Sequence, residues 1–208
     1  MADQRAYWDR VAAEKTFTHP LDAAWLRAFV RPDARVLDFG CGYGRTLNEL
    51  GRMGYRDAVG VDFAPAMVAR GRADWPHLDL RLTEPDGAFD AVFLMAVLTC
   101  IPDDAEQDAL LGRLRRRLRP GGMLYASDMP LQTDARNVRR YAEAQYRFGT
   151  YGVFETDDGA IVRHHADERF ATVFAGFERV AVRDVALKTM NGNPATARQY
   201  LFRLPRLS

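Results

Sequence analysis

Two cysteines in 208 residues, Cys41 and Cys100, are too few and too far apart for a disulfide framework or a cysteine-based metal site. That scarcity points to a reducing compartment. Lysine is equally rare: Lys15 and Lys188 are its two occurrences, and arginine carries almost all the positive charge. Nor is there an excess of either sign. The formal net charge is +1 at pH 7 and the arginines are spread along the chain, which removes the broad field that nucleic acid or an anionic membrane surface would require. No apolar run is long enough to span a bilayer, and residues 1–10 have no apolar signal core. These absences predict a cytoplasmic chain with no membrane partner and no nucleic-acid partner. The length suits one domain with a full hydrophobic core.

What the sequence does have is concentrated in Val36-Leu37-Asp38-Phe39-Gly40-Cys41-Gly42-Tyr43-Gly44-Arg45. An apolar β-run passes one carboxylate, Asp38, and breaks into glycines at alternate positions. Such a turn has no Cβ to block the approach of a ligand to the backbone, and positive φ costs it little. Thr46-Leu47-Asn48-Glu49-Leu50 then opens a helix, so the glycines join a strand to a helix N-terminus. A nucleotide-like ligand is expected against that backbone, at the carboxyl edge of a parallel sheet. The spacing differs from the dinucleotide fingerprint Gly-x-Gly-x-x-Gly, whose third glycine falls one residue later.

The chain continues with Ala58-Val59-Gly60-Val61-Asp62, a short strand ending in an acid close to the roughly 20-residue offset at which a carboxylate meets a ribose. Both ribose hydroxyls can donate to one carboxylate. Phe63 follows and is placed to cover an adenine face, and Pro65 opens a helix with Met67 one turn in. Residues 79–83 read as a third strand, and Thr83-Glu84-Pro85-Asp86-Gly87-Ala88 leads almost at once into Phe89-Asp90, leaving little room for a helix. Residues 89–98 are nearly continuously apolar, as a strand buried on both faces should be. A helix over 103–119 has acids in its first turn and arginines in its last, as the helix dipole favours. Its arginines read as a solvated face. Pro120-Gly121-Gly122 stops it, and 123–127 is a fifth strand with Asp128 at its end. Before all this, two helices are expected over 3–14 and 21–30, with Thr18-His19-Pro20 between them and the proline at a helix start.

Four ordered stretches within residues 35–127 resemble the motifs of the class I S-adenosylmethionine (SAM)-dependent methyltransferases: Leu37-Asp38-Phe39-Gly40-Cys41-Gly42-Tyr43-Gly44; Gly60-Val61-Asp62 with Met67; Phe89-Asp90-Ala91-Val92; and Leu118-Arg119-Pro120-Gly121-Gly122. The tighter glycine spacing has a rationale, since SAM has no pyrophosphate for a helix N-terminus to hold. The resemblance implies a Rossmann-like α/β fold: a seven-stranded sheet, mostly parallel with a C-terminal antiparallel strand, and helices on both faces. It implies SAM as cofactor, contacted by Asp38, Gly40 and Gly42, with Tyr43 and Arg45 near it, Asp62 on the ribose, Phe63 and Met67 around the adenine, and the backbone of Met95 and Ala96 alongside. Thr83 or Glu84 is the expected partner of the adenine amino group. Thr99 and Cys100 stand where relatives have a histidine pair, so no role for those histidines is carried over.

The implied organisation is one methyltransferase domain with an N-terminal helical cap (1–33), a SAM-binding core (34–128), an inserted helix–hairpin (129–170) and closing antiparallel strands (171–208). The insert is expected as a helix over 134–147, a hairpin over 151–165 and a helix over 166–176; the closing strands are expected over 177–188 and 196–204. Tyr7, Trp8, Phe17 and His19 of the cap, with Tyr141, Tyr146, Tyr151 and His164 of the insert, are the candidate acceptor-binding residues.

Methyl transfer from a sulfonium is an in-line displacement in which positioning is the main task. An acceptor carrying a proton also needs a base. His165 and Asp128 are the candidate catalytic groups; His164 and His165, adjacent on a strand, point to opposite faces. No metal-ligand pattern is found. The expected reaction is methyl transfer to a small-molecule acceptor. The alternatives are a protein or RNA methyltransferase sharing the same cofactor site, an NAD(P)-dependent oxidoreductase, against which the glycine spacing argues, and a non-catalytic SAM-binding module.

Overall fold

A computed structural model describes residues 4–206; residue 3, the expected start of the first helix, and the last two residues of the closing segment lie outside the described residues. The sheet grows from short, heavily buried strands: β1 (Val36–Phe39), β2 (Ala58–Val61), β3 (Asp79–Arg81), β4 (Phe89–Met95) and β5 (Leu118–Asp128), followed by β8 (Glu178–Lys188) and β9 (Pro194–Arg203). A separate hairpin, β6 (Val153–Glu155) and β7 (Ile161–Arg163), stands apart. The spatial order is β3-β2-β1-β4-β5-β9-β8. β1 to β5 pair in parallel, and β9 alone runs against its neighbours β5 and β8. This is the seven-stranded, Rossmann-like sheet expected from the sequence.

Period-two alternation sends successive strand residues to opposite faces. Val36, Ala91, Phe93, Met123 and Tyr125 pack on one side with Leu26 of α2 (Ala23–Phe29), Leu47 and Leu50 of α3 (Arg45–Arg52) and Val68 of α4 (Pro65–Asp74). Leu37, Val92, Leu94, Leu124 and Ala126 pack on the other with Leu110, Leu111 and Leu114 of α5 (Asp104–Arg117) and Phe170 and Val173 of α7 (Asp167–Val173). The remaining helices, α1 (Gln4–Val11) and α6 (Ala135–Phe148), lie over the carboxyl edge.

Several boundaries differ from expectation. α2 starts after Asp22, not at Leu21, because the Asp22 carboxylate accepts from Ala24 N at 2.8 Å and Trp25 N at 3.0 Å. α5 ends at Arg117, and Leu118 is already extended. Pro120-Gly121-Gly122 is therefore an irregularity inside a long β5, where the register with β4 shifts between Phe89 and Ala91. α4 has no cap of its own, so Asp9 of α1 reaches across to accept from Ala66 N at 2.9 Å. No helix forms between β3 and β4.

Candidate functional site

The strand order reverses between β1 and β4, and a cavity opens there at the carboxyl ends of the strands, where open α/β sheets bind ligands. Gly40, Gly42 and Gly44 all have positive φ, and Gly44 starts α3 in the left-handed region. Asp38 lines the cavity with 1% of its surface exposed, and neither carboxylate oxygen has a donor among the described residues. Burial pushes its pKa up to about 8, with Arg45 opposing the rise and Asp62 adding to it. Arg45, also on the wall, donates to Glu49 at 2.5 Å and to the His19 carbonyl.

Asp62 is pinned by backbone: Oδ2 accepts from Gly42 N and Oδ1 from Ala64 N, each at 2.8 Å. Burial raises its pKa as well, opposed by those two bonds. Phe63 and Met67 follow on the wall. Across the cavity come Met95 and Ala96; Ala96, at φ 59°, is the one non-glycine among the described residues with positive φ. Backbone held in so sparsely populated a region is characteristic of a site that the surrounding structure over-determines.

Four of the expected cofactor contacts lie off the wall: Gly42, whose open side is covered by the Phe17 ring, and Tyr43, Thr83 and Glu84. Tyr43 is buried beneath it, its ring stacked 5.7 Å from that of Trp75 and its hydroxyl accepting from Phe17 N at 3.1 Å. It holds the cap and leaves the cavity to its neighbours. Thr83 is exposed, and Glu84 faces α5, paired with Arg113 at 2.8 Å and Arg117 at 3.7 Å. With no helix after β3, the chain drops straight towards α5 and neither residue reaches the adenine end.

The far half of the cavity is walled by the cap, the insert and the β8–β9 turn. Tyr7, Trp8, Phe17, His19 and His164 line it as expected. Three tyrosines do not. Tyr141 is fully buried behind His164, Tyr151 sits edge-on against Tyr141, and Tyr146 is 96% exposed on the outer stripe of α6. Instead α6 turns Arg136 and Arg140 inward, and the turn after β8 brings Thr189, Asn191 and Asn193 to the mouth. The i, i+4 spacing of the arginine pair also occurs at Arg113 and Arg117 of α5 and so did not mark a site; the Asn-Gly-Asn turn was read for its shape alone.

His165 is the clearest correction. It is 1% exposed and off the cavity wall, packed on Phe170. Arg169 donates to Gln107 Oε1 at 3.1 Å, which orients the amide so that its Nε2 donates to His165 Nε2 at 2.8 Å. The proton of His165 is therefore on Nδ1, aimed at the Met129 carbonyl at 3.2 Å. Both ring nitrogens are occupied by protein, and burial lowers the pKa to about 3. Asp128, likewise off the wall and 2% exposed, accepts from Met129 N at 2.8 Å and Thr99 N at 3.2 Å, and burial raises its pKa to about 7. Neither is placed to take a proton from a bound acceptor; both brace the ends of β5 and β7.

The sequence profile of a methyltransferase-domain family matches residues 12–180. The chain belongs to that family of SAM-dependent class I methyltransferases. Among curated relatives of this methyltransferase, a trans-aconitate 2-methyltransferase of Deinococcus radiodurans is 34% identical over 138 residues, 64% of this chain and 50% of the relative. A ribosomal protein L11 methyltransferase of Ralstonia pickettii is 33% identical over 128 residues, 59% of this chain and 42% of the relative. The chain thus spans about half the length of the curated relatives it matches. A solved SAM-dependent methyltransferase from Methanosarcina mazei superposes with a TM-score of 0.81 at 20% identity, covering 88% of this chain and 97% of that one.

SAM is the cofactor of this methyltransferase, and the residues at the glycine end fit it. Asp38 is a buried carboxyl with no partner among the described residues, and the ammonium of SAM would supply one. Asp62 spends one lone pair of each oxygen on backbone and keeps the others for two hydroxyls. Phe63, 43% exposed, offers an aromatic face beside them. When bound, SAM supplies an electrophilic methyl group on a sulfonium.

Proposed function

We propose that this methyltransferase transfers the methyl group of SAM to a small-molecule acceptor in the cytoplasm. One observation carries the reading: the acceptor half of the cavity is roofed, and the roof is tied at Asp158. Tyr7 of α1 donates to Asp158 at 3.0 Å, Lys15 of the cap pairs with it at 2.5 Å, and Asn191 of the β8–β9 turn approaches at 3.4 Å. Three chain segments close over the space in which the acceptor lies. That enclosure suits a small molecule, whereas a protein side chain would need an open groove. The two unpaired cysteines agree with a reducing compartment.

His19 also serves this half, its Nδ1 2.8 Å from Ser127 Oγ, with its pKa lowered to about 4 by burial and then by Arg45. In this reading the work of the chain is to bind, orient and exclude water. The relatives named for trans-aconitate and for ribosomal protein L11 mark the two acceptor classes to be separated. The deciding experiment follows radiolabelled methyl from SAM into a small-metabolite pool and, in parallel, into ribosomal protein. Label in the small-molecule fraction, lost in Asp62→Ala, supports the proposal; label in protein alone overturns it.

A further inference from the structure

Resting on the small-molecule reading, the acceptor half of the cavity also specifies a class of acceptor. Arg136 and Arg140 stand one turn apart on α6 beside its buried stripe of Asn137 and Tyr141, and both line the cavity, Arg140 half-buried and Arg136 at the exposed edge. Arg136 is paired loosely, its Nε 3.9 Å from Asp134 Oδ1 at the start of its own helix. Arg140 lies over the Phe154 ring, its guanidinium carbon 3.6 Å from the centroid, and its Nε is buried with no hydrogen-bond partner among the described residues. The two carboxylates that line the cavity, Asp38 and Asp62, both belong to the glycine end. Two cationic forks therefore line the acceptor space, Arg140 in no ion pair among the described residues and Arg136 held only by the long contact to Asp134.

His164 adds a third donor. Gln132 N donates to the Tyr141 hydroxyl at 3.2 Å, and the phenolic proton in turn goes to His164 Nδ1 at 2.6 Å. The imidazole proton is thereby placed on Nε2, as a donor. Burial, reinforced by Arg140, His165 and Arg136, lowers the pKa of His164 to about 3, so the ring is neutral and its free nitrogen has no lone pair to offer. A set made entirely of donors, two of them planar guanidiniums, is complementary to carboxylate oxygens. SAM itself brings a sulfonium and an ammonium against one carboxylate, so a neutral or cationic acceptor would leave this end of the cavity with uncompensated positive charge.

The two groups expected as bases do not line the wall. His19 is tied through Nδ1 to Ser127, His164 is held as a donor, and His165 and Asp128 lie outside the cavity. A carboxylate acceptor needs no base, since its lone pair is already free. We propose that the acceptor is a small di- or tricarboxylic acid, one carboxylate held by Arg136, Arg140 and His164 and another presented to the methyl group. The bond formed is carboxylate O–CH3 and the bond broken is S–CH3. The sulfur keeps the electron pair, the negative and positive charges cancel, and no proton moves. The products are a methyl ester and S-adenosylhomocysteine (SAH).

The test titrates the SAH-loaded protein calorimetrically with succinate, tricarballylate, butyrate, succinamide and inorganic phosphate. Succinate or tricarballylate is expected to bind about tenfold or more tighter than butyrate or succinamide. Arg140→Gln and Arg136→Gln should each weaken that binding about tenfold while SAH affinity stays within about twofold, and Arg140→Lys should recover part of it. Incubation of the preferred acid with methyl-labelled SAM should yield a base-labile ester. Equal binding of succinamide and the carboxylates, preference for phosphate, or undiminished carboxylate binding in a folded Arg140→Gln protein would each overturn the proposal. Should Arg140→Gln not fold, the exposed Arg136→Gln carries the same comparison. Failure of SAH to bind the unaltered protein would overturn both this proposal and the reading beneath it, whereas SAH binding without carboxylate binding overturns this one alone.

Discussion

The ring of Phe17 lies so close to Gly42 that a Cβ on the glycine would stand 1.9 Å from Phe17 Cε2. The cap is thus fitted to a bare backbone. Gly42 also has φ 54°, which costs an L-residue roughly 1–2 kcal/mol. Gly42→Ala is expected to displace the cap, lower the melting temperature by several degrees and weaken SAH binding about tenfold or more. Adding Phe17→Ala should restore part of the melting temperature, since the clash disappears and the backbone strain remains. Identical melting of the single and double variants would show that the contact is not the cause.

Asp62 holds the Gly42 and Ala64 amides at 2.8 Å each. Its removal leaves two buried N–H groups unpaired, at about 1–3 kcal/mol apiece. Asp62→Ala should therefore lose about 2–4 kcal/mol in urea unfolding and about a hundredfold in SAH affinity; Asp62→Asn, which keeps one acceptor, should lose less of both. Unchanged SAH affinity in folded Asp62→Ala would place the ribose elsewhere.

Asp38 predicts a pH dependence. Its folded pKa is raised to about 8 from an ordinary value of 3.8, so between those limits the native state keeps a proton that the unfolded chain has released. Stability accordingly falls as pH rises, by up to about 1.4 kcal/mol per pH unit. The buried histidines, whose pKa values are lowered to about 4 for His19 and about 3 for His164 and His165, act with the opposite sign, but chiefly below 6.5. Asp128, raised to about 7, shares the early part of the window. Melting temperature should fall from pH 6.5 to 8, and Asp38→Asn should flatten the upper part. An SAH ammonium beside Asp38 favours its charged form, so binding at pH 7 should release protons. That release appears as a difference between heats measured in phosphate and in Tris; equal heats would separate the ammonium from Asp38.

Asp158 joins the cap, its own hairpin turn through Thr156 Oγ1 at 2.6 Å, and the β8–β9 turn. Burial opposes its ionisation, yet hydrogen bonds from Lys15, Thr156 and Tyr7 outweigh that and hold the carboxyl well below the usual range. Asp158→Ala should cost about 1 kcal/mol or less in global stability, as for an exposed ion pair. Hydrogen exchange should nevertheless accelerate together at residues 12–19, 156–160 and 189–193, and SAH should dissociate faster. Exchange unchanged in any one of the three segments would show that it is held independently.

The parts of the site legible in the sequence are those whose geometry is local. A strand, an acid, alternating glycines and a helix start within ten residues can make few shapes, and Asp38, Gly40 and Asp62 line the cavity where that pattern puts them. The seven-stranded sheet was legible for a similar reason: runs such as Phe89–Met95 are buried on both faces and must be internal. The missing helix before β4 was visible as a simple shortage of residues. The adenine-side assignment of Thr83 and Glu84 failed because it depended on where a short connection travels, and ion pairing to Arg113 and Arg117 drew it towards α5.

Hydrophobic period and glycine spacing thus determined the sheet and the glycine end of the cavity, because each acts through residues close in sequence, and the resemblance of those motifs to a known family implied the cofactor. The acceptor half was decided by tertiary packing. His164 and His165 are neighbours, and an extended backbone guarantees only that they part; it is α6 with Tyr141 on one side, and α5 with Gln107 on the other, that turn His164 into the cavity and seal His165 outside it. Arg136 and Arg140 are no different in composition from the arginines of α5. They face the acceptor space because α6 lies across the carboxyl edge of the sheet, and which stripe of a helix is covered depends on contacts made between elements far apart in the chain.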